Sequence, residues 1–205
     1  MRTTGWVRRG TAACPALVQA RLLAGSGLRT SEACGLDRDQ IDVDTGVLVV
    51  AESKFGKSRQ VFLHEGAIVA LRDYQRCRDR WCPAPAAPSF FVSTRGTRLD
   101  AHNITHTFAE LVDAAGIQAP VGRRRPRLHD LRHSFTVATL LDWYREGGDV
   151  QARLPLLSTW LGHIDPKSTY WYLNSRELHQ MGEKPQVARS TWQRNGICGQ
   201  SVTAV

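Results

Sequence analysis

The stretch HDLRH, from His129 to His133, combines residue types that can move protons and hold phosphate. On a helix, His129 and Arg132 share a face at a spacing of three, and the two histidines share one at a spacing of four. The second spacing also occurs in HExxH zinc sites, but here Asp130 replaces the glutamate, and the preceding run GRRRPR adds positive charge. A zinc site and a structural histidine stay open, and phosphate chemistry fits the surroundings best.

Two other stretches carry side chains that bind anions. GLRTSEACGL has Arg29 directly after a glycine break and Glu32 three residues later, a pattern that by itself also suits a structural ion pair. SKFGKSRQV has Lys54 and Lys57 at the tip of an expected hairpin. A lysine in such a turn is by itself most often solvated, or it blunts a sheet edge.

The stretch LGHIDPKSTYWYL places His163 seven residues ahead of Tyr170 and nine ahead of Tyr172. An apolar and aromatic run of this kind usually belongs to a core. The residue types alone leave open whether either tyrosine is a reagent.

Together these residue types meet the requirements of phosphodiester transfer, which are donors for two non-bridging oxygens, an in-line nucleophile and an acid for the leaving oxygen. Arginine suits the first task because its planar guanidinium gives two hydrogen bonds and keeps its charge. A lysine can supply the proton, and a tyrosine can form a covalent ester without a metal. The chain offers two arginines, a lysine, two histidines and a tyrosine for these tasks.

In sequence, these stretches resemble the tyrosine recombinase (phage integrase) family over about residues 20–180. GLRTSEACGL is similar to the family's first arginine box, SKFGKSRQVFL to its β-hairpin lysine segment and HDLRHSF to its HxxR box. LGH, with a tyrosine nine residues after its histidine, is similar to the third box. Each motif alone is modest, whereas all of them in this order are highly specific.

The resemblance implies a role for each matching residue around the scissile phosphate. Arg29 and Arg132 would clamp the phosphate, and His163 would donate a hydrogen bond to one of its oxygens. Lys54 would protonate the leaving 5′ oxygen, with Lys57 as its alternative.

The resemblance also names the nucleophile. Tyr172 would attack phosphorus, whereas Tyr170 would pack or contact the substrate. His129 would help to move the proton of the nucleophile, and Glu32 would orient the site without touching DNA. The implied chemistry uses no metal, ATP or other cofactor.

Composition agrees with double-stranded DNA as the partner. Lysine and arginine number 27 against 19 acidic residues, a formal net charge of +8, which favours nucleic acid before an anionic membrane surface. The five scattered cysteines form no CxxC pair, and we find no signal peptide and no apolar run of membrane-spanning length, so a cytoplasmic location is expected. The residues expected to contact DNA outside the catalytic set are Arg123, Arg124, Arg125, Arg127 and Lys57.

Three departures from the family pattern bear on activity. The N-terminal helical domain that clasps the other face of DNA is expected to be missing. The spacing of 31 positions between Arg132 and His163 resembles the longer version of mobile-element integrases and transposases. The C-terminal helix that passes to a neighbouring subunit is expected to be short or absent. The predicted divisions are an N-terminal segment 1–19, a catalytic domain 20–182 and a polar tail 183–205.

Three functions are therefore open. The first is site-specific DNA recombination by a mobile-element integrase or transposase, acting by resemblance as a homo-oligomer, a tetramer on two duplexes. The second is a non-catalytic or truncated DNA-binding fragment of such an enzyme. The third, a type IB topoisomerase, shares the chemistry but matches the hairpin and HxxR motifs less well.

The sequence pattern around these residues predicts a mainly helical α+β fold with a small antiparallel sheet. A strand–turn–strand pattern over residues 47–63 contains Lys54. This segment lies between segments whose apolar residues have helical spacing. We expect the two clamping arginines, His129 and His163 to converge on one basic concave surface. The predicted helices are ALVQARLLAGSG, a short one from RTSEACGL, EGAIVALRDYQRCRDRW, DAHNITHTFAELVDAAG, LHDLRHSFTVATLLDWYREG and LLSTWLGH.

Overall fold

The computed structural model confirms the mainly helical α+β architecture. It describes residues 14–53, 57–119, 121–147, 149–163, 165, 167–170 and 172. The predicted Lys54 and the tail 183–205 lie outside the described residues. Within them, no helix is long and apolar enough to cross a membrane. The helices are α1 (Pro15–Ser26), α2 (Thr30–Gly35), α3 (Glu65–Trp81), α4 (Ala101–Ala114), α5 (Asp130–Arg145), α6 (Val150–Leu161) and α7 (Lys167–Tyr170), with a 3₁₀ turn at Arg38–Gln40.

The predicted small antiparallel sheet is confirmed, and it has three strands in the order β1-β2-β3. Val47 pairs with Phe62, Val50 pairs with Arg59, and the register shifts between Val50 and Ser53. Gly46, in the turn before β2, has a φ of 72°, and a Cβ there would lie 2.5 Å from Ile68 Cδ1, so the turn requires glycine. The strands are β1 (Ile41–Asp42), β2 (Val47–Ser53) and β3 (Lys57–Phe62).

The nearly apolar helix α1 lies at the centre of the core and contacts α3, α4 and α5. At its C-terminal end, Gly27 has a φ of 67°, and a Cβ there would lie 2.4 Å from Phe135 Cδ1 on α5. Because the chain turns so close to α5, Arg29, two residues later, comes to lie beside the first turns of that helix. This close approach brings the first arginine motif to the HxxR motif.

Candidate active site

The centre of the site is the C-terminal end of α6, where the last carbonyls of a helix have no partners within the helix and carry partial negative charge. Three arginines donate to three consecutive carbonyls, those of residues 160–162. Arg59 Nε donates to the first at 2.8 Å, Arg132 Nη2 to the second at 2.7 Å and Arg29 Nη2 to the third at 2.7 Å. The arginines come from β3, α5 and the loop before α2, so this helix end holds the three elements together.

Glu32 contacts two of these three guanidinium groups. Its carboxylate accepts from Arg59 Nη1 and Nη2 at 3.1 and 2.8 Å and from Arg29 Nη1 at 2.8 Å. Burial raises the pKa of Glu32, but the hydrogen bond and charge of Arg59, followed by those of Arg29, outweigh burial and lower it. Glu32 is thus held ionised, and three positive charges against one negative charge suit the binding of an anion.

Gly162 explains why the LGH motif needs its glycine. The residue caps α6 with a φ of 66°, and a Cβ there would lie 2.9 Å from Arg59 Nη1 and 3.3 Å from Arg29 Nη1. A side chain would therefore be strained and would also push the guanidinium groups apart.

Arg132 is the most constrained of the three arginines, with 3% of its surface exposed. Nη1 donates to the Gly27 carbonyl at 2.5 Å, and Nη2 lies 3.0 Å from His163 Nε2. Burial, followed by the charge of Arg29, lowers the pKa of Arg132 to about 10, so the group is still protonated at neutral pH. Its orientation is fixed from both sides before any substrate arrives.

His163 joins the cluster in its neutral form. Burial, followed by the charges of Arg132 and Arg29, lowers its pKa to about 4. Because an arginine can only donate, Nε2 accepts from Arg132, and Nδ1 therefore carries the proton toward Thr169 Oγ1, 2.8 Å away. Donation from His163 to a phosphate oxygen, the role implied by the resemblance, stays a prediction.

The two tyrosines lie in different environments. Tyr172 is 5% exposed and Tyr170 is 42% exposed. The Tyr172 hydroxyl lies 2.6 Å from His133 Nδ1. Burial raises the pKa of Tyr172, and the charge of Arg132 and a hydrogen bond with Thr136 offset part of that rise. Tyr172, the predicted nucleophile, thus lies against α5 within reach of the charge of Arg132, whereas Tyr170 is exposed.

His129 lies beside His133 at the exposed start of α5. The two rings meet edge to face, with centroids 5.1 Å apart. Burial, followed by the charges of His133 and Arg132, lowers the pKa of His129. Its predicted role in moving the proton of the nucleophile stays a prediction, since the structure puts His133 at the hydroxyl. Among the described residues, no group of three or more potential ligands could hold a metal ion, so the zinc interpretation of HDLRH gains no support.

The predicted DNA-contacting residues divide into two groups. Arg123 and Arg124 are exposed in the loop before α5, as expected. Arg125 instead forms an ion pair with Asp113 on α4, and Arg127 Nη2 lies 3.7 Å from Asp130. The side chains of Lys54 and Lys57 lie outside what the structure describes.

Sequence reasoning missed Arg59, His133 and Thr169. Arg59 lies in the stretch SKFGKSRQV. Because side chains alternate along a strand, Arg59 and Val61 on β3 share one face of the sheet, and both are buried. A buried arginine on such a face requires an acidic or carbonyl partner, which was the available signal. His133 was weighed only as a zinc ligand.

Comparisons with known proteins decide the family. The model of the phage integrase family matches residues 7–179. The chain belongs to this family. It is 44% identical over 153 residues to y4rB of Sinorhizobium fredii, a protein named as an integrase/recombinase. The alignment covers 74% of this chain and 49% of y4rB.

Two further relatives agree. Tyrosine recombinase XerC of Corynebacterium glutamicum is 36% identical over 160 residues, which cover 77% of this integrase-family chain and 46% of XerC. The crystal structure of XerA recombinase superposes with a TM-score of 0.64 at 26% identity, covering 85% of this chain and 64% of that one. The chain spans about half the length of the curated relatives it matches.

Replacing Arg59 with methionine should lower the free energy of unfolding by about 3 kcal/mol, because Glu32 would keep a buried charge with one of its two arginine partners. Urea denaturation at pH 7 measures this change. Since the pKa of Glu32 is lowered from 4.5 in the folded chain, the pair stabilises above about pH 4.5 and loses its effect as the pH falls through the folded pKa. The difference between wild type and variant should therefore shrink in acid.

The matched control is Arg76→Met on α3. Arg76 has a side chain that is 69% exposed, and its ion pair with Asp73 spans 3.9 Å, so its loss should cost under about 0.5 kcal/mol. Equal effects of the two replacements would contradict the structural role assigned to Arg59.

Proposed function

We propose that this chain carries the strand-transfer site of a site-specific DNA recombinase that cuts and rejoins DNA through a 3′-phosphotyrosine. The observation that supports this most directly is the arginine cluster at the end of α6. The Tyr172 hydroxyl lies within reach of the charge of Arg132 in this cluster, where it contacts His133 in the first turn of α5. A cluster of fixed cations next to a buried phenol suits one chemical task, the attack of an oxygen nucleophile on a phosphodiester.

In the proposed step, Arg29 and Arg132 donate to the two non-bridging oxygens. The described contacts of Arg132 use three of the five N–H groups that a guanidinium offers, and those of Arg29 use two side-chain N–H groups. Both arginines thus have further donors for phosphate, and because protein carbonyls already orient them, binding requires little reorganisation.

The bond changes balance without a cofactor. Tyr172 Oη gives up its proton, which the resemblance assigns to His129, and forms a bond to phosphorus. The bond between phosphorus and O5′ breaks, and the leaving oxygen receives a proton, a role that the resemblance gives to Lys54. The phosphotyrosine ester conserves the bond energy, so a 5′-hydroxyl from the same or another strand can reverse the step. We propose double-stranded DNA as the substrate and a homo-oligomer, a tetramer on two duplexes, as the working assembly.

A second candidate is a DNA-binding fragment that does not cleave. The observation in its favour is that the chain spans about half the length of its relatives. The complete set of matching catalytic residues favours activity, and the family match favours a recombinase over a type IB topoisomerase.

A nicked duplex distinguishes these candidates. When the strand breaks close to the nick, the short 5′-hydroxyl fragment diffuses away and leaves the protein trapped on the 3′ end. The proposal predicts a slower band in a denaturing gel, and it predicts the same yield in excess chelator. DNA binding in a native gel without that band would favour the fragment, and loss in chelator with recovery in zinc would restore the metal interpretation.

Binding should weaken steeply with salt, because each arginine on a phosphate displaces about one counterion. Replacing Arg123 and Arg124 with alanine should flatten the slope of log affinity against log salt by up to about 1.8, at roughly 0.9 per contact. Arg125→Ala should change it little, since Asp113 and the Ala109 carbonyl already hold that side chain. Fluorescence anisotropy at several salt concentrations measures the slopes.

The charge-matched control is the pair Arg76→Ala and Arg80→Ala on the exposed face of α3. If this pair flattens the slope as much as the loop pair does, the loop is an ordinary solvated segment. A larger effect of Arg125→Ala than of the other two would also contradict the assignment.

A further inference from the structure

The proposed function leaves a question about the nucleophile, namely which group takes its proton. A phenol attacks phosphorus efficiently only as it loses that proton. Burial raises the pKa of Tyr172, so little phenolate forms unaided near neutral pH. A proton acceptor at hydrogen-bond distance is therefore required.

The described surroundings of the hydroxyl offer few choices. Arg132 acts on it only through its positive charge, and it has no lone pair to offer. Thr136 hydrogen-bonds the hydroxyl, but an alcohol is a very weak base. His133 Nδ1 lies 2.6 Å from Oη, and a neutral imidazole nitrogen accepts protons readily.

Helix α5 fixes this arrangement. His133 and Thr136 stand three residues apart and so present both side chains on one face toward Tyr172. Arg132, the residue before His133, points instead into the arginine cluster, where it donates to the Leu161 carbonyl. The helix thus separates a face that holds phosphate from a face that holds the nucleophile.

We propose that His133 is a catalytic residue, the proton acceptor for Tyr172, a role that the family resemblance gave to His129. This inference rests on the proposed function. As Oη bonds to phosphorus, its proton passes to Nδ1 and leaves an imidazolium. The bond between phosphorus and O5′ breaks, and the leaving oxygen takes its proton from the acid assigned to Lys54. In the rejoining step, His133 returns its proton to Oη.

The proposal fixes one tautomer, which can be measured without activity. To accept from Tyr172, Nδ1 must be unprotonated and Nε2 must carry the hydrogen. Nitrogen-15 NMR of the uniformly labelled full chain near pH 8, assigned by through-bond correlations from the backbone, should show this tautomer for His133. In Tyr172→Phe the preference should weaken. A protonated Nδ1 in the neutral wild-type ring would overturn the proposal, because the nitrogen that faces the phenol could not take its proton.

Kinetics on two leaving groups test the role itself. Single-turnover trapping should be about 10²- to 10⁴-fold slower in His133→Gln, both on the ordinary nicked duplex and on one with sulfur in place of the bridging 5′ oxygen. A thiolate leaves without an acid, so the sulfur substrate should rescue Lys54→Ala but not His133→Gln. Ser134→Ala, an exposed neighbour on α5, is the matched control and should equal wild type.

The outcomes separate the two levels of inference. No adduct from wild-type chain that binds the nicked duplex would overturn the proposed function together with this one. A wild-type adduct with an unimpaired His133→Gln would overturn the role of His133 alone. So would a larger loss on the sulfur substrate in His129→Gln than in His133→Gln. Thermal unfolding shows whether each variant is folded. If His133→Gln is unfolded, the tautomer of His133 in the wild-type chain decides between the outcomes.

Discussion

Tyr172→Phe should abolish the covalent DNA adduct while leaving DNA affinity within about twofold of wild type. The change removes the one oxygen atom that the proposed function makes the nucleophile, and that function gives it no contact with bound DNA outside the chemical step. It also removes the hydrogen bond to His133, which costs on the order of 1 kcal/mol of stability and does not unfold a domain. Trapping on the nicked duplex measures the adduct, and a native gel measures affinity.

Tyr170→Phe is the matched control, because it makes the same change two residues earlier at an exposed position. This variant should form the adduct at no less than about a tenth of the wild-type rate. If Tyr170→Phe were inactive and Tyr172→Phe active, the spacing from His163 would have named the wrong nucleophile.

Arg132→Lys should slow adduct formation by about 10²- to 10³-fold at saturating DNA. The lysine keeps the charge but lacks the planar guanidinium that reaches two carbonyls and, in the proposed step, a phosphate at the same time. A donor aimed at the charge that develops in the transition state contributes roughly 3–4 kcal/mol. Single-turnover trapping rates report the loss, and saturation excludes an effect on binding.

Lysine is preferred to alanine at this position because alanine would leave a void and two carbonyls without their donor. Arg145→Lys on the same helix is the control. Arg145 is exposed and pairs with Asp142 at 3.0 Å, so its replacement should leave the rate unchanged. A rate for Arg132→Lys within threefold of wild type would contradict its assignment as a phosphate clamp.

The parts of the site that sequence predicts are those set by local spacing. Arg29 caps the short helix whose first turn holds Glu32, and the hairpin follows from its alternating strands. Tyr172 is named by the family resemblance, which expects the nucleophile nine residues after His163. These relations need no knowledge of the tertiary structure, and the structure brings these residues together at the end of α6, Lys54 excepted because it lies outside the described residues.

The parts that sequence does not predict depend on contacts between distant segments. Arg59 donates to a carbonyl 101 residues later, and His133 meets a hydroxyl 39 residues later. Arg125 belongs to a loop that the sequence predicts to contact DNA, yet its partner is Asp113 on α4. Each of these roles is set by which element packs beside the residue, and neighbouring residues in the chain do not encode that.

In the proposed reaction, Tyr172 becomes covalently joined to DNA. The direct measurement is to trap the wild-type chain on a nicked duplex, digest protein and DNA, and locate the remaining nucleotide by tandem mass spectrometry. We expect a 3′-linked nucleotide on the peptide that contains Tyr172, with the added mass of the nucleotide located on that side chain. A nucleotide on Tyr170 or another residue, or no modified peptide from chain that binds the duplex, would contradict it.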